Sequence, residues 1–378
     1  MKKLLSLAVA AVLVAPAVHA EVRVSGFGQI VAGKLTGENQ AFPDRDYDTD
    51  IGFKESLVAV QVDADLGSRA TATAQVVSDG YNDFHPQLAW AFVKAKLGGG
   101  FSASIGRQRL PLYRYSDFLQ VGAAYPWVRP PFAMYNQPWS NFEGVSLSHD
   151  AYVGKWYSQA QVIGGRFKGE IDGHDSGVDA RLDKLRGASW DMEYDEWLSF
   201  RAAYIVGNVT VTGTALDQVT NALNAFGQQT LAARVDYNHD RGTFKSVGAK
   251  VDKGNWLAVG EYAKLDVDDT VYAGTNRTDW YATLGYRIGP VMPNFTIGRR
   301  DAGRSEQVTA GVPVNSPLYP ALYAASVSQS LDESYRTVGV RWDLTPKLAL
   351  KGDYTRLRSD IPGTKDANLV STALAFTF

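Results

Sequence analysis

The sequence predicts an all-β chain folded as a transmembrane antiparallel β-barrel, with sixteen strands as the main count and eighteen as the alternative. Three observations lead there. Apolar residues recur at every second position over segments of about ten residues, the period of a sheet whose two faces meet different surroundings. Beyond residue 20 no stretch supplies the roughly 20 consecutive apolar residues of a spanning helix. A membrane location then requires a closed barrel, in which every backbone group is paired inside the protein. Turns fall into two length classes, as in barrels with short turns at one rim and long loops at the other.

Composition agrees with a single architecture. The 378 residues include 36 glycines and 12% aromatics, spread end to end with no Pro/Ser linker. The absence of cysteine excludes disulfide frameworks, thiolate metal sites and thiol nucleophiles. A formal net charge of −2 lacks the basic excess of a nucleic-acid binder, and five histidines offer little for a metal site. No cofactor, metal or nucleic acid is expected.

Taken in order, residues 1–20 read as a signal peptide. Met1-Lys2-Lys3 is a basic start, Leu4 to Val14 an apolar run, and Ala17-Val18-His19-Ala20 ends in a small-x-small cleavage pattern. The barrel is expected over 21–378. Removing Lys2 and Lys3 from the 38 basic residues leaves 36 against 40 acidic ones, a net of −4. Strand segments are expected near 22–33, 55–66, 70–79, 87–97, 101–107, 142–149, 155–166, 188–195, 197–206, 229–238, 243–252, 255–266, 279–288, 294–301, 334–344, 347–358 and 367–378.

That count is odd, and a barrel with both ends at one rim needs an even one. Lys253-Gly254-Asn255 is a short turn, so walking back from residue 378 makes 229–238 the segment that breaks the alternation. It joins a long loop that also holds a helix-like stretch at 215–226. Other short turns are Gly67-Ser68-Arg69, Gly98-Gly99-Gly100, Asp195-Glu196 and Thr345-Pro346-Lys347. Long loops are expected at 34–50, 108–141, 167–187, 207–242, 267–278 and 301–333, the charge-free 307–331 reading as loop because of Pro313, Pro317 and Pro320. Outward series include Ala188-Trp190-Met192-Tyr194, Trp280-Ala282-Leu284-Tyr286 and Val338-Val340-Trp342-Leu344, with aromatics near the strand ends as in a lipid-facing band.

Four features together resemble the trimeric, sixteen-stranded diffusion porins of Gram-negative outer membranes: the leader, the amphipathic hairpins, the ending Ala375-Phe376-Thr377-Phe378, and the segment 104–148. The resemblance covers essentially the whole chain after the leader. It implies outer-membrane localisation, assembly as a homotrimer, contact with outer-membrane lipid and lipopolysaccharide, and passage of small hydrophilic solutes. It also implies that Phe378 is an assembly signal and that the loop after Ile105-Gly106-Arg107 folds inward to narrow the pore. Here that loop, 108–141, is followed by Phe142-Glu143-Gly144-Val145. Its five prolines and eight aromatics, including Tyr113, Tyr115, Tyr125, Trp127 and Phe132, need something to pack against.

The loop lacks the carboxylate richness of the best-known general porins. Arg107, Arg109, Arg114 and Arg129 are expected to meet at the constriction with Asp117 as the nearby carboxylate, Arg107 being placed inward by the resemblance. Strand parity adds Arg201, Arg287, Arg300, Arg341 and Lys351 to the pore lining, and a modest anion preference follows. The alternative is that Asp191, Glu193, Glu261, Asp343 and Asp353, on the same face, neutralise them. The acidic stretch Asp44-Asp46-Asp48-Asp50 lacks the EF-hand glycine, the sixth residue being Thr49 counted from Asp44 and Ile51 counted from Asp46; it and Asp266-Asp268-Asp269 read as solvated loop. An enzyme is not expected: His149 shares parity with Leu147 and Val145, so Ser146 points away from it. The alternative functions are a barrel lipid hydrolase or an adhesin.

Overall fold

The structure, a computed structural model, describes residues 21–38, 40, 42, 47–132, 134–135, 139–171, 177–268, 276–303, 309–328, 330–360 and 365–378. The expected signal peptide, Asp44, Asp46 and Asp269 lie outside them. Sixteen strands close into one antiparallel barrel, each paired with its sequence neighbours and the first with the last. They are β1 Val22–Leu35, β2 Leu57–Asp65, β3 Ala70–Asp79, β4 Gln87–Gly98, β5 Phe101–Arg109, β6 Asn141–Val153, β7 Trp156–Ile171 and β8 Val178–Tyr194. The second half is β9 Leu198–Thr212, β10 Asn238–Lys253, β11 Trp256–Val267, β12 Arg277–Tyr286, β13 Val291–Ala302, β14 Leu331–Thr345, β15 Leu348–Ser359 and β16 Ala367–Thr377.

The alternation fixes the two faces. Trp190, Tyr204, Tyr286 and Trp342 are exposed on the outside, whereas Ser189, Arg201, Thr283 and Thr337, of opposite parity on the same strands, are buried inside. Near the short turns, aromatic pairs such as Trp156 with Tyr194 (ring centroids 5.0 Å apart) and Trp256 with Tyr286 (4.7 Å) form a girdle. Residues 229–238 do not form a strand of their own. They hold a short helix, Gln229–Ala232 (α2), after α1 at Ala215–Ala225, whose start is fixed by a Thr214/Asp217 capping box.

Two loop expectations are corrected. Most of 167–187 is strand, the loop-side ends of β7 and β8. There the polarity of the faces inverts: Ile163, Phe167, Ile171, Leu182 and Leu185 point inward and are buried, while Arg166, Arg181 and Arg186 are exposed. The wall there rises past the apolar band, its outside meets polar surroundings, and its inside meets packed loops. Residues 307–331 contain α3, Tyr319–Ser328. Pro320 sits in its first turn, where the missing N–H has no partner to lose. Leu322 of α3 packs with Leu223 of α1 and Ala232 of α2, tying two long loops together.

The barrel seam is closed by the end of the chain. Phe378 and Gly26 exchange backbone hydrogen bonds of 2.9 and 3.0 Å. Gly26 is glycine for a spatial reason: a Cβ there would run into the Phe378 ring, which lies across it, and Phe376 covers Gly28 in the same way.

Candidate constriction site

Segment 110–140 is anchored by inward-facing side chains of strands far from it in sequence. On one flank, Ser246 of β10 donates to the Leu112 carbonyl at 2.6 Å. Glu261 of β11 accepts from three donors: the Arg114 N–H at 2.8 Å, the Tyr281 hydroxyl at 2.6 Å, and the Tyr135 hydroxyl. Burial, with the Glu261 charge beside it, holds the Tyr135 phenol well above its ordinary pKa, so it remains a donor. Hydrogen bonds to a carboxylate are stronger than bonds between neutral groups, which makes Glu261 the main tie of this flank.

On the other flank, the Trp127 indole N–H donates to Thr296 at 2.9 Å and Thr283 at 3.2 Å, on β13 and β12. The Val128 N–H donates to Asp353 of β15 at 2.8 Å. Lys351, also of β15 and 1% exposed, places its ammonium on the Gly122 and Trp127 carbonyls, the second at 2.8 Å. Arg341 of β14 donates to the Ala123 and Tyr125 carbonyls at 2.7 and 2.9 Å. Between these anchors the aromatics pack edge to face: Tyr115 stands 5.5 Å from Trp127 and Trp127 5.6 Å from Tyr281. Tyr113, Tyr125 and Phe132 are likewise buried, in one cluster with Leu182, Leu185 and Val209 of the wall.

The arginines do not gather in one place. Arg129 is drawn to Glu55, just before β2, by a 3.5 Å ion pair and a 2.8 Å bond to its carbonyl. The Arg114 guanidinium goes instead to Ser199 of β9, beside the Glu261 anchor on β11. In a ring of sixteen strands these walls are nearly opposite. Arg109 stays at the base of the segment, bonded to Ser140 and Gln120 at 2.9 Å each and 5.5 Å from the Trp90 ring. Asp117 is not central to a loop arginine cluster; it and Asp191 pair with Arg201 at 3.2 and 3.3 Å.

Arg107 does not point inward. It lies in register between Ala91 and Glu143, two residues from Ile105, which is 63% exposed, and Glu143 stands in the same relation to Val145 at 53%. Residues two apart on a strand share a face. Arg107 therefore belongs to the outward series, where Glu143 lies 4.0 Å from it and 3.8 Å from Arg166.

Several inward carboxylates are paired with cations, while Glu261 and Asp353 accept from neutral donors of the segment. Arg300 and Glu333, each 3% exposed, meet at 2.6 Å across β13 and β14; Arg287 meets Asp252 at 2.7 Å and Arg341 meets Asp343 at 2.7 Å. Sequence parity places Glu261, Asp353, Asp191 and Asp343 on this face but gives no sign of their partners. Among the described residues no group of three or more acidic or histidine side chains is arranged to hold a metal ion. The His149 ring lies against Phe101 at a tilt, centroids 4.4 Å apart, and Ser146 bonds Gln108 at 2.6 Å, on opposite faces of β6.

No known sequence family matches the chain, and no curated protein does. Solved structures are similar in fold. The outer membrane channel DcaP of Acinetobacter baumannii superposes with a TM-score of 0.60 at 12% identity, covering 95% of this chain and 97% of that one. Salmonella typhi OmpF, in complex with daunomycin, gives 0.58 at 14%, covering 95% and 98%. Pseudomonas putida OprB gives 0.56 at 13%, covering 95% and 94%. These likenesses extend over nearly the whole chain and concern the barrel fold.

Proposed function

We propose that this protein is an outer-membrane channel through which small hydrophilic solutes diffuse passively, with segment 110–140 setting the width of the path. The observation that carries this is the anchoring of that segment to inward-facing residues of β9 to β15, within a barrel whose outer face is apolar. Selection then comes from width and field and needs no chemistry. Purified protein in a planar lipid bilayer should give stepwise openings, with neutral polymers above a sharp size cutoff failing to lower the conductance. Absence of openings from folded protein contradicts the proposal.

The anion preference is proposed in weaker form and on different residues. Arg129, Arg201, Arg287 and Arg300 are compensated by carboxylates, and Arg107 is outside. Arg114 and Arg109, whose guanidinium hydrogen bonds go to neutral oxygens, carry what preference there is. Charges a few ångströms from the path dominate over distant loops, since screening sets in within about 10 Å at 0.1 M salt. Arg114→Gln should lower the anion-to-cation permeability ratio, read from reversal potentials in a salt gradient, and Arg107→Gln should leave it unchanged. A larger effect at Arg107 reverses the assignment.

Assembly as a homotrimer is proposed on the outer surface. The outward faces of β2, β3 and β4 present Val58, Val60, Ala72, Ala74, Val76 and Val93 with no aromatic side chain, a flat patch suited to another barrel wall. Phe378 is proposed to serve insertion as well as closure. Phe378→Ala should reduce the yield of folded barrel in the outer membrane while export continues; unchanged yield would leave it a seam contact alone.

A further inference from the structure

Residues 117–120 form a bridge inside the barrel. At one end Asp117 pairs with Arg201 of β9 at 3.2 Å; at the other Gln120 accepts from Arg109, the last residue of β5, at 2.9 Å. β6, β7 and β8 lie between those strands in the wall, so the bridge stands off their inward faces. On its far side an aromatic chain fills the lumen toward β12: Phe118 packs on Tyr115 at 5.4 Å, Tyr115 on Trp127, and Trp127 on Tyr281. On the near side the wall is bare. Gly106, Gly144 and Gly165 stand side by side in register across β5, β6 and β7, and each faces inward yet remains partly exposed. Strand glycines of this kind leave room for close approach to the backbone.

Four residues nearer the short turns, the same strands carry Ser102, Ser148 and Gln161, continued by Ser189 of β8, in one register row on the inward face. Among the described residues none of these four side chains has a hydrogen-bond partner, and the Ser102 hydroxyl is orphaned at 5% exposure. Elsewhere in the lumen such groups are paired, Thr283 with Thr296 at 2.7 Å and Thr337 with Thr355 at 2.8 Å. A buried polar group left without a partner is costly, and a ligand that bonds to it removes the cost. The inward charges around the row balance: Lys94 and Lys96 on β4 are matched in number by Asp150 on β6 and Glu193 on β8, and Asp117 and Asp191 are held by Arg201. The ligand that fits is therefore neutral. Phe118, 37% exposed, adds an aromatic surface that Tyr115 covers only in part. Hydroxyl and amide groups on one side and an open aromatic ring on the other suit a solute with hydroxyls at its edge and C–H groups on its face.

We propose that the space between residues 117–120 and β5 to β8 is a binding site for a neutral, short oligosaccharide: a ring face lies on Phe118, and hydroxyls bond to Ser102, Ser148, Gln161 and Ser189. The row covers three strand spacings, about 14 Å, which exceeds one sugar ring and matches a short, straight chain. The proposal rests on the channel reading above for its place on the path, and names the class of solute.

Saturation-transfer NMR on folded, detergent-solubilised protein titrated with cellotriose tests the site without a membrane. The wild type should bind cellotriose, and more tightly than D-glucose. Gln161→Leu should bind about tenfold more weakly, as expected for the loss of one or two hydrogen bonds. Ser148→Ala should bind several-fold more weakly, and Phe118→Ala should lose about as much as Gln161→Leu. Gln61→Leu serves as control, since Gln61 on β2 already donates to Asp63 and accepts from Gln75, and it should bind as the wild type does. Heat-dependent migration shows which variants are folded, and Ser148→Ala decides if Gln161→Leu is not. No binding by the wild type, undiminished binding by the folded Gln161→Leu, Ser148→Ala or Phe118→Ala chains, or an equal loss in Gln61→Leu overturns the proposal. Tighter binding of D-glucuronate than of D-glucose overturns the neutral assignment. Cellotriose is then added to the planar bilayer. Interrupted openings support the site's place on the path, and openings that it leaves unaltered overturn that place. Absence of openings with binding retained removes the channel proposal and leaves the site standing.

Discussion

Glu261→Ala is expected to raise single-channel conductance and to make the open level noisy. The substitution leaves the Arg114 N–H and the Tyr135 and Tyr281 hydroxyls without their common acceptor. An unsatisfied buried donor costs about 1–3 kcal/mol, and three at one point exceed what the neighbouring single bonds restore. One flank of segment 110–140 then rests on the Ser246 bond to Leu112 and the Arg114 bond to Ser199, while Trp127, Lys351 and Asp353 hold the other. Tyr281→Phe, which removes one donor and leaves two, should have a smaller effect of the same kind. Current traces of the two variants check the order; a quiet, unchanged channel in Glu261→Ala would show that the flank is held by packing alone.

The second large effect is on stability. Arg300 and Glu333 form a pair buried at both ends, in register across β13 and β14. Removing one member of such a buried pair takes away a close counter-charge of the other and costs about 3–5 kcal/mol, whereas replacing both by apolar residues of similar volume is close to neutral. Arg300→Met should therefore lower the temperature at which the folded barrel loses its fast electrophoretic migration. Arg300→Met with Glu333→Leu should recover most of the loss. If the double variant is no more stable than the single one, the pair is supporting something beyond itself, with the Phe132 ring 5.6 Å from Arg300 the first place to look.

Much of the barrel is legible in the sequence because the outward series must be apolar wherever it meets lipid. The turn Lys253-Gly254-Asn255 fixes the phase of the count, so 229–238 is excluded from the wall without knowledge of α2. Legibility ends where that constraint ends. At the loop-side ends of β7 to β9 the apolar residues Phe167, Leu182 and Val209 face inward and the charges face out, so the pattern continues with its meaning reversed. α3 is hidden by three prolines, only one of which lies within it.

The site is half legible. Parity places Arg201, Arg300, Arg341 and Lys351 inside, and the aromatic content of 110–140 requires that it be packed. Its partners are beyond such a reading, because Glu261 finds its donors 147 and 126 residues away at Arg114 and Tyr135. Arg107 is the instructive error. It shares parity with Ile105, and Ile105 is apolar, so the alternation by itself sets Arg107 outside; only the likeness of Gly106-Arg107 to a known pattern points the other way. The physical constraint on a strand is local and strict, and a two-residue likeness is neither.

The central claim is that segment 110–140 determines the size of the path. The most direct measurement compares the single-channel conductance of the wild-type protein with that of a chain in which residues 113–134 are replaced by a short Gly/Ser linker, both shown to be folded by their heat-dependent migration. The account predicts defined openings in the wild type and a several-fold larger conductance, with a raised polymer size cutoff, in the shortened chain. Equal conductance and an equal cutoff in the two would contradict it.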